Sequence, residues 1–363
     1  MHATRELHDR GQSLWLDNIT RGLLDSGTLA RYIRDFSVTG LTSNPTIFEH
    51  AIGNSDRYDA AIRRTSGQGK PEEDRFFELA LEDLRRAADL FRPAFDATDG
   101  VDGWVSLEVS PLLAFDAAAT IKMAARLHAL AQRPNLFIKI PGTREGIAAI
   151  EESVFAGVPI NVTLLFSAEH YVAAAEAYLR AIERRIAAGR DPRVTSVASV
   201  FVSRWDVAAQ DRIPAALRNR LGIAVAMQTY RAYRELLASL RWQKLATAGA
   251  RPQRLLWAST GTKDPAASEA LYVQALAAPD TINTMPEKTL LAFADHGEVK
   301  DVLPVDGGDS AAVLEACRRA GIDDAALATQ LQREGADAFS KSWHQLLQRI
   351  GAKTKELSQA GAP

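Results

Sequence analysis

A closed (β/α)8 barrel of the TIM type, in the α/β class, is predicted by three observations. Short β-rich or apolar segments recur eight times, they alternate with longer Ala/Leu/Arg-rich stretches of helical period, and almost every one carries a polar residue toward its C-terminal end. In chain order the first segment is LWLDNI, Leu14–Ile19, followed by VTGLTSNP, Val38–Pro45, which Asn-Pro stops as a turn signal. The stretch from Ile47 to Phe95 is too long for one crossover, so helical decoration is expected over about 47–95, with TSGQGKPEED as a turn between two helices. WVSLEVSP, Trp104–Pro111, is the third segment and leads into a helical pattern around Asp116 to Ala131. LFIKIPGT, Leu136–Thr143, is stopped by Pro-Gly, and PINVTLLFS, Pro159–Ser167, hands over to a helix. That helix opens with Ser167 as N-cap two residues ahead of Glu169 and closes at Gly189. The sixth segment is TSVASVFVSR, Thr195–Arg204, followed by a helical pattern from Ala224 to Ala246. LLWASTGTK, Leu255–Lys263, and TINTMPEKT, Thr281–Thr289, complete the eight. After Asp309 the pattern is helical to about residue 350, and KTKELSQAGAP, residues 353–363, reads as a mobile tail. Residues 1–363 are therefore expected to form one barrel domain with additional helices in the second βα connection and at the C-terminus.

Composition narrows the function classes. Of 363 residues 47% are apolar and 24% charged, and the formal net charge of -2 gives no electrostatic reason to expect nucleic acid or an anionic membrane as partner. Cys317 is the single cysteine, so an internal disulfide and a metal site of several thiolates are excluded. The opening MHATRELHDRGQSLWLD has charges where a signal peptide needs an apolar run, and no stretch approaches a membrane span. A cytoplasmic small-molecule enzyme, monomer or homodimer, is the expectation.

Side chains alternate across a strand, and in a barrel one face points into the lumen. Residues two apart therefore pair Trp15 with Asp17, Thr42 with Asn44, Ser106 with Glu108, Phe137 with Lys139, Asn161 with Thr163, Ser199 with Phe201, and Trp257 with Ser259. The polar members cluster at the strand ends where barrel enzymes place their active sites. Alone, Asp17 would read as a loop or capping residue, Asn44 as a turn residue, and Asn161 with Thr163 as hydrogen-bonded core. Their coincidence on one face carries the reading.

Lys139 is the most informative member. An ammonium group buried among Phe137, Phe201 and Trp257 is costly, and the side chain responds by lowering its pKa, which yields a nucleophilic neutral amine. The bland alternative is a structural pair with Glu108 or Asp17. A Schiff-base lysine needs proton transfers at each step, and two carboxylates can divide them: Glu108 through a water held by Thr163, and Asp17 at the hydroxyl whose deprotonation breaks the carbon–carbon bond. Asn44 and Asn161 would hold hydroxyls. Phosphate sites in such barrels use the loops after strands seven and eight, which points to Ser259, the amides near Gly261, Lys263, and Arg204 as a further cation.

LWLDNI, GLTSNPTIF, SLEVSP, FIKIPGT, INVTLLFS, VASVFVSRWD, LWASTGTK and NTMPEKTL, in this order between Ser13 and Gly297, resemble the transaldolase family. The resemblance implies Lys139 as Schiff-base lysine, Asp17 and Glu108 as acid–base residues, and Thr163 as holder of the catalytic water. It implies Asn44, Asn161 and Ser199 around a bound three-carbon fragment. The implied reaction moves a dihydroxyacetone unit from sedoheptulose 7-phosphate to glyceraldehyde 3-phosphate, with no metal or organic cofactor. The family's aldolase cousins carry tyrosine and glutamine where this chain has Phe201 and Glu108, which favours transfer over cleavage. Many members have an arginine where this chain has Gly261, and Lys263 is expected to serve instead. Two alternatives stay open: a fructose-6-phosphate aldolase-like lyase, and a noncatalytic sugar-phosphate-binding barrel.

Overall fold

The structure, a computed structural model, describes residues 2–65 and 69–359. Eight parallel strands close into a barrel in sequence order: β1 (Gln12–Leu16), β2 (Val38–Leu41), β3 (Trp104–Glu108), β4 (Leu136–Pro141), β5 (Ile160–Leu165), β6 (Ser196–Phe201), β7 (Gln253–Ala258) and β8 (Thr281–Met285). Every predicted segment contributes one. Each is buried on both faces, one toward the lumen and one toward the helices, as parallel strands require.

The two faces carry different chemistry. Outward residues such as Leu14, Leu107, Ile138, Ile140, Val162, Val200 and Leu255 join the large apolar cluster under the helices. Inward, Trp104 stacks on Phe137 with ring centroids 4.0 Å apart, and Trp15 lies 6.3 Å from Phe137. These rings plug the N-terminal half of the lumen. Gly40 on β2 makes room for them, since a Cβ there would stand 2.7 Å from the Trp15 indole. Above the plug the lumen turns polar, so sequence position along each strand separates packing from chemistry.

Trp257 departs from expectation. It packs in the outer cluster, while Leu256 and Ala258 join the inner one. Ser259 still reaches the lumen side because its φ of 55° breaks the strand alternation just beyond β7. Of the three rings expected around Lys139, Phe137 and Phe201 thus lie in the inner cluster and Trp257 does not.

The helical patterns hold with three adjustments. Ser167 caps Ala168–Ala187 by accepting from the His170 amide, and Asp116 caps Ala117–Ala131 in the same way. The stretch Ala224–Ala246 is not one helix: Leu221–Ala238 ends at Ser239, whose extended backbone and side-chain cap start Leu240–Thr247. The second connection holds three helices, Pro45–Gly53, Asp59–Thr65 and Glu72–Ala97, and the centre of the expected turn, residues 66–68, lies outside the described residues. Of the tail expected over 353–363, residues 353–359 continue the helix Asp324–Gln359, and residues 360–363 lie outside the described ones.

That C-terminal helix is 36 residues long, about 54 Å at the α-helical rise. Its second half lies on the helices of the second connection. Trp343 meets Phe76 and Phe77 at 5.0 and 5.6 Å, Thr46 donates to Ser342 at 2.8 Å, Lys353 pairs with Asp59 at 2.7 Å, and Arg349 pairs with Glu49. Its first half crosses the C-terminal mouth of the barrel. Gln332 donates its amide to the carbonyls of Gly142 and Leu164 at 3.0 and 2.9 Å, at the ends of β4 and β5. No helix among the described residues is long and apolar enough to cross a membrane.

Candidate active site

Strand register assembles the polar residues. Glu108 on β3 pairs with Lys139 on β4, and Lys139 pairs with Asn161 on β5, so three strands present them side by side. Lys139 is only 4% exposed, its ammonium 3.2 Å from a Glu108 carboxylate oxygen and donating to the Ser43 carbonyl at 3.2 Å. Glu108, also 4% exposed, faces Lys139 as an ion pair, but neither of its oxygens makes a well-directed hydrogen bond. Burial pushes its carboxyl above the ordinary range, with the Lys139 charge opposing.

Asp17 lines the same cavity as the lysine, just after β1. Thr42 donates to it at 2.7 Å, and the Thr42 hydroxyl in turn meets that of Thr284 at 2.7 Å. Burial raises the Asp17 carboxyl, while Lys139, Thr42 and the field of Lys263 pull it down. A buried ammonium thus shares the lumen with two carboxylates whose proton affinity burial raises and its own charge lowers.

Asn161 joins the wall behind the lysine. It accepts from Ser199 at 2.7 Å and donates to Ser106 at 3.1 Å, so its amide orientation is fixed from both sides. Thr163, two residues on, has a fully buried hydroxyl with no hydrogen-bond partner. The next residue, Leu164, has φ of 58° at a register shift against β6. Asn44 caps the helix Pro45–Gly53 through the Ile47 amide at 3.1 Å.

A cavity of about 110 Å³ is lined by Asp17, Thr42, Asn44, Lys139, Ser199, Phe201, Arg204, Ser259, Thr284 and Phe339, among others, whereas Glu108, Asn161 and Thr163 are not part of its lining. A larger depression of about 560 Å³ opens at the N-terminal mouth around Tyr233, Trp242 and Arg254, but it has no comparable set of acids and amines. Arg204 brings a cation to the rim, its guanidinium 5.3 Å from the Phe201 ring centre and 5.9 Å from that of Phe339. Ser259 meets Ser203 at 2.9 Å, which ties the ends of β6 and β7 together beside that cation. Lys263 is placed differently from its expected neighbours. It is exposed and lines a separate depression with Asp206, Asp211, Arg218 and Asn219.

Sequence reasoning missed Thr284 and Phe339. The alternation of TINTM put Ile282 and Thr284 on the lumen face, so Thr284 had a readable signal. Phe339 comes from the C-terminal helix, and its place depends on a contact far along the chain.

The arrangement suits amine chemistry on a carbonyl: a buried lysine amino group, two buried carboxylates, hydroxyl and amide groups for a polyol, and a cation at the rim. Comparison with known proteins agrees. The family model described as Transaldolase/Fructose-6-phosphate aldolase matches residues 14–350. A transaldolase of Saccharopolyspora erythraea is 45% identical over 361 residues, covering 98% of this chain and 97% of its own. Transaldolases of Thermobifida fusca and Acidothermus cellulolyticus are each 46% identical, over 355 and 363 residues, covering 95% and 98% of this chain and 96% and 97% of their own.

Proposed function

The chain belongs to the transaldolase/fructose-6-phosphate aldolase family, and we infer that it is a transaldolase of the non-oxidative pentose phosphate pathway. It transfers a dihydroxyacetone unit from sedoheptulose 7-phosphate to glyceraldehyde 3-phosphate, giving erythrose 4-phosphate and fructose 6-phosphate. The observation that carries this reading is the Lys139 ammonium, buried in the lumen against Glu108 and lining one cavity with Asp17.

In the proposed mechanism the Lys139 amine adds to the C2 carbonyl of the ketose. Glu108, whose carboxyl is raised by burial, supplies and recovers protons through a water held by the Thr163 hydroxyl, so the carbinolamine loses water and becomes the iminium. Asp17 takes the proton of the C4 hydroxyl, the C3–C4 bond breaks, and its electron pair flows into the iminium to give an enamine. The first aldehyde leaves, the acceptor enters, and the same steps run in reverse. Asn44, Asn161 and Ser199 hold the hydroxyls of the three-carbon unit, and Arg204 with Ser259 receives the phosphate, with Lys263 as an outlying charge. Ion pairing with Glu108 alone would also explain a buried lysine. The structural-pair reading leaves the orphan Thr163 hydroxyl without a purpose.

Acceptor dependence tests the activity. With fructose 6-phosphate as donor, the account expects erythrose 4-phosphate to accelerate glyceraldehyde 3-phosphate formation strongly. Equal turnover with and without the acceptor would identify a lyase instead.

A further inference from the structure

The C-terminal helix does more than brace the barrel. Phe339 is 5% exposed, and its ring centre lies 5.9 Å from the Lys139 ammonium and 5.9 Å from the Arg204 guanidinium. It belongs to the inner apolar cluster with Leu164, Phe166 and Phe201, not to the outer core of the helical layer. Gly335, one turn earlier, lets the helix settle close, since a Cβ there would come 2.8 Å from Leu164 and 3.1 Å from Arg204. Gln332 locks the same turn to the ends of β4 and β5. The cavity beneath is about 110 Å³, small beside the several hundred typical of ligand sites, and this ring is part of its lining.

We propose that Phe339 is a specificity-determining residue, the roof that keeps water from the lysine-bound three-carbon intermediate and so sets transfer above release. The inference rests on the Schiff-base reading given above. After C3–C4 cleavage the enamine has two fates. It can attack the carbonyl carbon of an acceptor aldehyde, forming a new C–C bond. Alternatively, its carbon takes a proton, water adds to the resulting iminium, and the C–N bond breaks to free dihydroxyacetone and the Lys139 amine. The proton is the one Asp17 took from the C4 hydroxyl, and the water, admitted from solvent, balances the one lost when the Schiff base formed, so the second route needs no other reactant. Phe201 shields the intermediate from the β6 side and Phe339 from above, and Arg204 lies against both rings at the rim. An acceptor phosphate drawn to Arg204 would therefore bring its aldehyde under the same roof.

The test compares wild type, Phe339→Ala, Phe339→Leu and Gln332→Ala as full-length proteins, each given fructose 6-phosphate. Two rates are read: dihydroxyacetone release without acceptor, and transfer to erythrose 4-phosphate. Borohydride trapping of the three-carbon adduct on the Lys139 peptide is run alongside. The expected ratio of release to transfer rises about tenfold in Phe339→Ala, on the order of one lost aromatic contact. It rises less in Phe339→Leu and Gln332→Ala, and trapping persists in all. A merely structural Phe339 would lower stability or both rates together without moving the ratio. If Phe339→Ala does not fold, an unchanged ratio in both Phe339→Leu and Gln332→Ala overturns the proposal, as does an unchanged ratio in a folded Phe339→Ala that still traps. Absence of an adduct in the wild type would instead sink the Schiff-base reading itself.

Discussion

Substituting Asp206 by asparagine should remove a pH dependence that the structure places in the helix carrying Arg204. Asp206 is 5% exposed and accepts from the Leu221 and Gly222 amides at 3.0 and 3.2 Å and from the Tyr272 hydroxyl at 2.9 Å. Burial raises its carboxyl from 3.8 to about 6, despite those three donors. That gap corresponds to about 3 kcal/mol at 1.36 kcal/mol per pH unit. Between 3.8 and about 6 the folded chain keeps a proton that the unfolded chain has released. Stability from this group is therefore fully present below the lower value and lost as pH rises through the upper one. Other carboxylates titrate in the same range, so the informative quantity is wild type minus Asp206→Asn, whose amide does not titrate. Urea unfolding followed by tryptophan fluorescence from about pH 4 to about pH 7 measures it. The difference should shift by about 3 kcal/mol against the wild type as pH rises. A flat difference, or one that rises with pH, would show that the three donors outweigh burial and would refute the reasoning.

Glu108→Gln should keep the fold and donor binding but lower kcat by about 10²- to 10⁴-fold, the usual worth of a general acid–base group. Steady-state kinetics check it, and an unchanged kcat would remove Glu108 from proton transfer. Arg204→Ala should lower kcat/KM for phosphorylated donors by about 10- to 100-fold, as expected for a charge-assisted hydrogen bond to phosphate, whereas Lys263→Ala, at an exposed position outside the cavity, should cost much less. The reverse ranking, measured with fructose 6-phosphate, would relocate the phosphate to the β7 loop.

The barrel was legible because its code is local. Each strand is a short apolar run whose lumen-facing alternation turns polar at the same end, and Lys139, Glu108, Asn161 and Ser199 all follow that rule into adjoining positions. Ser259 broke it, because its positive φ is a backbone state that serine does not announce, and Trp257, paired with Ser259 by alternation, was thereby assigned to the wrong face. Phe339 was illegible for another reason. Leu331, Gly335, Phe339, Trp343, Leu346 and Ile350 form one buried stripe of helical period. Nothing local says where this stripe passes from the helical layer, at Trp343, to the barrel mouth, at Phe339. The segments 47–95 and 309–350, blank in functional terms at the sequence level, meet as the bed and beam that hold that phenylalanine in place. Lys263 shows the converse limit, since a Gly-Thr-Lys turn fixes the start of a loop and not the direction of a long side chain.

The central claim is covalent catalysis by Lys139, and borohydride trapping with fructose 6-phosphate tests it most directly. Intact-protein and peptide mass spectrometry should find a reduced three-carbon adduct on the peptide containing FIKIPGT, and none in Lys139→Met. A folded wild-type protein that binds the sugar phosphate yet carries no adduct on that peptide would contradict the account.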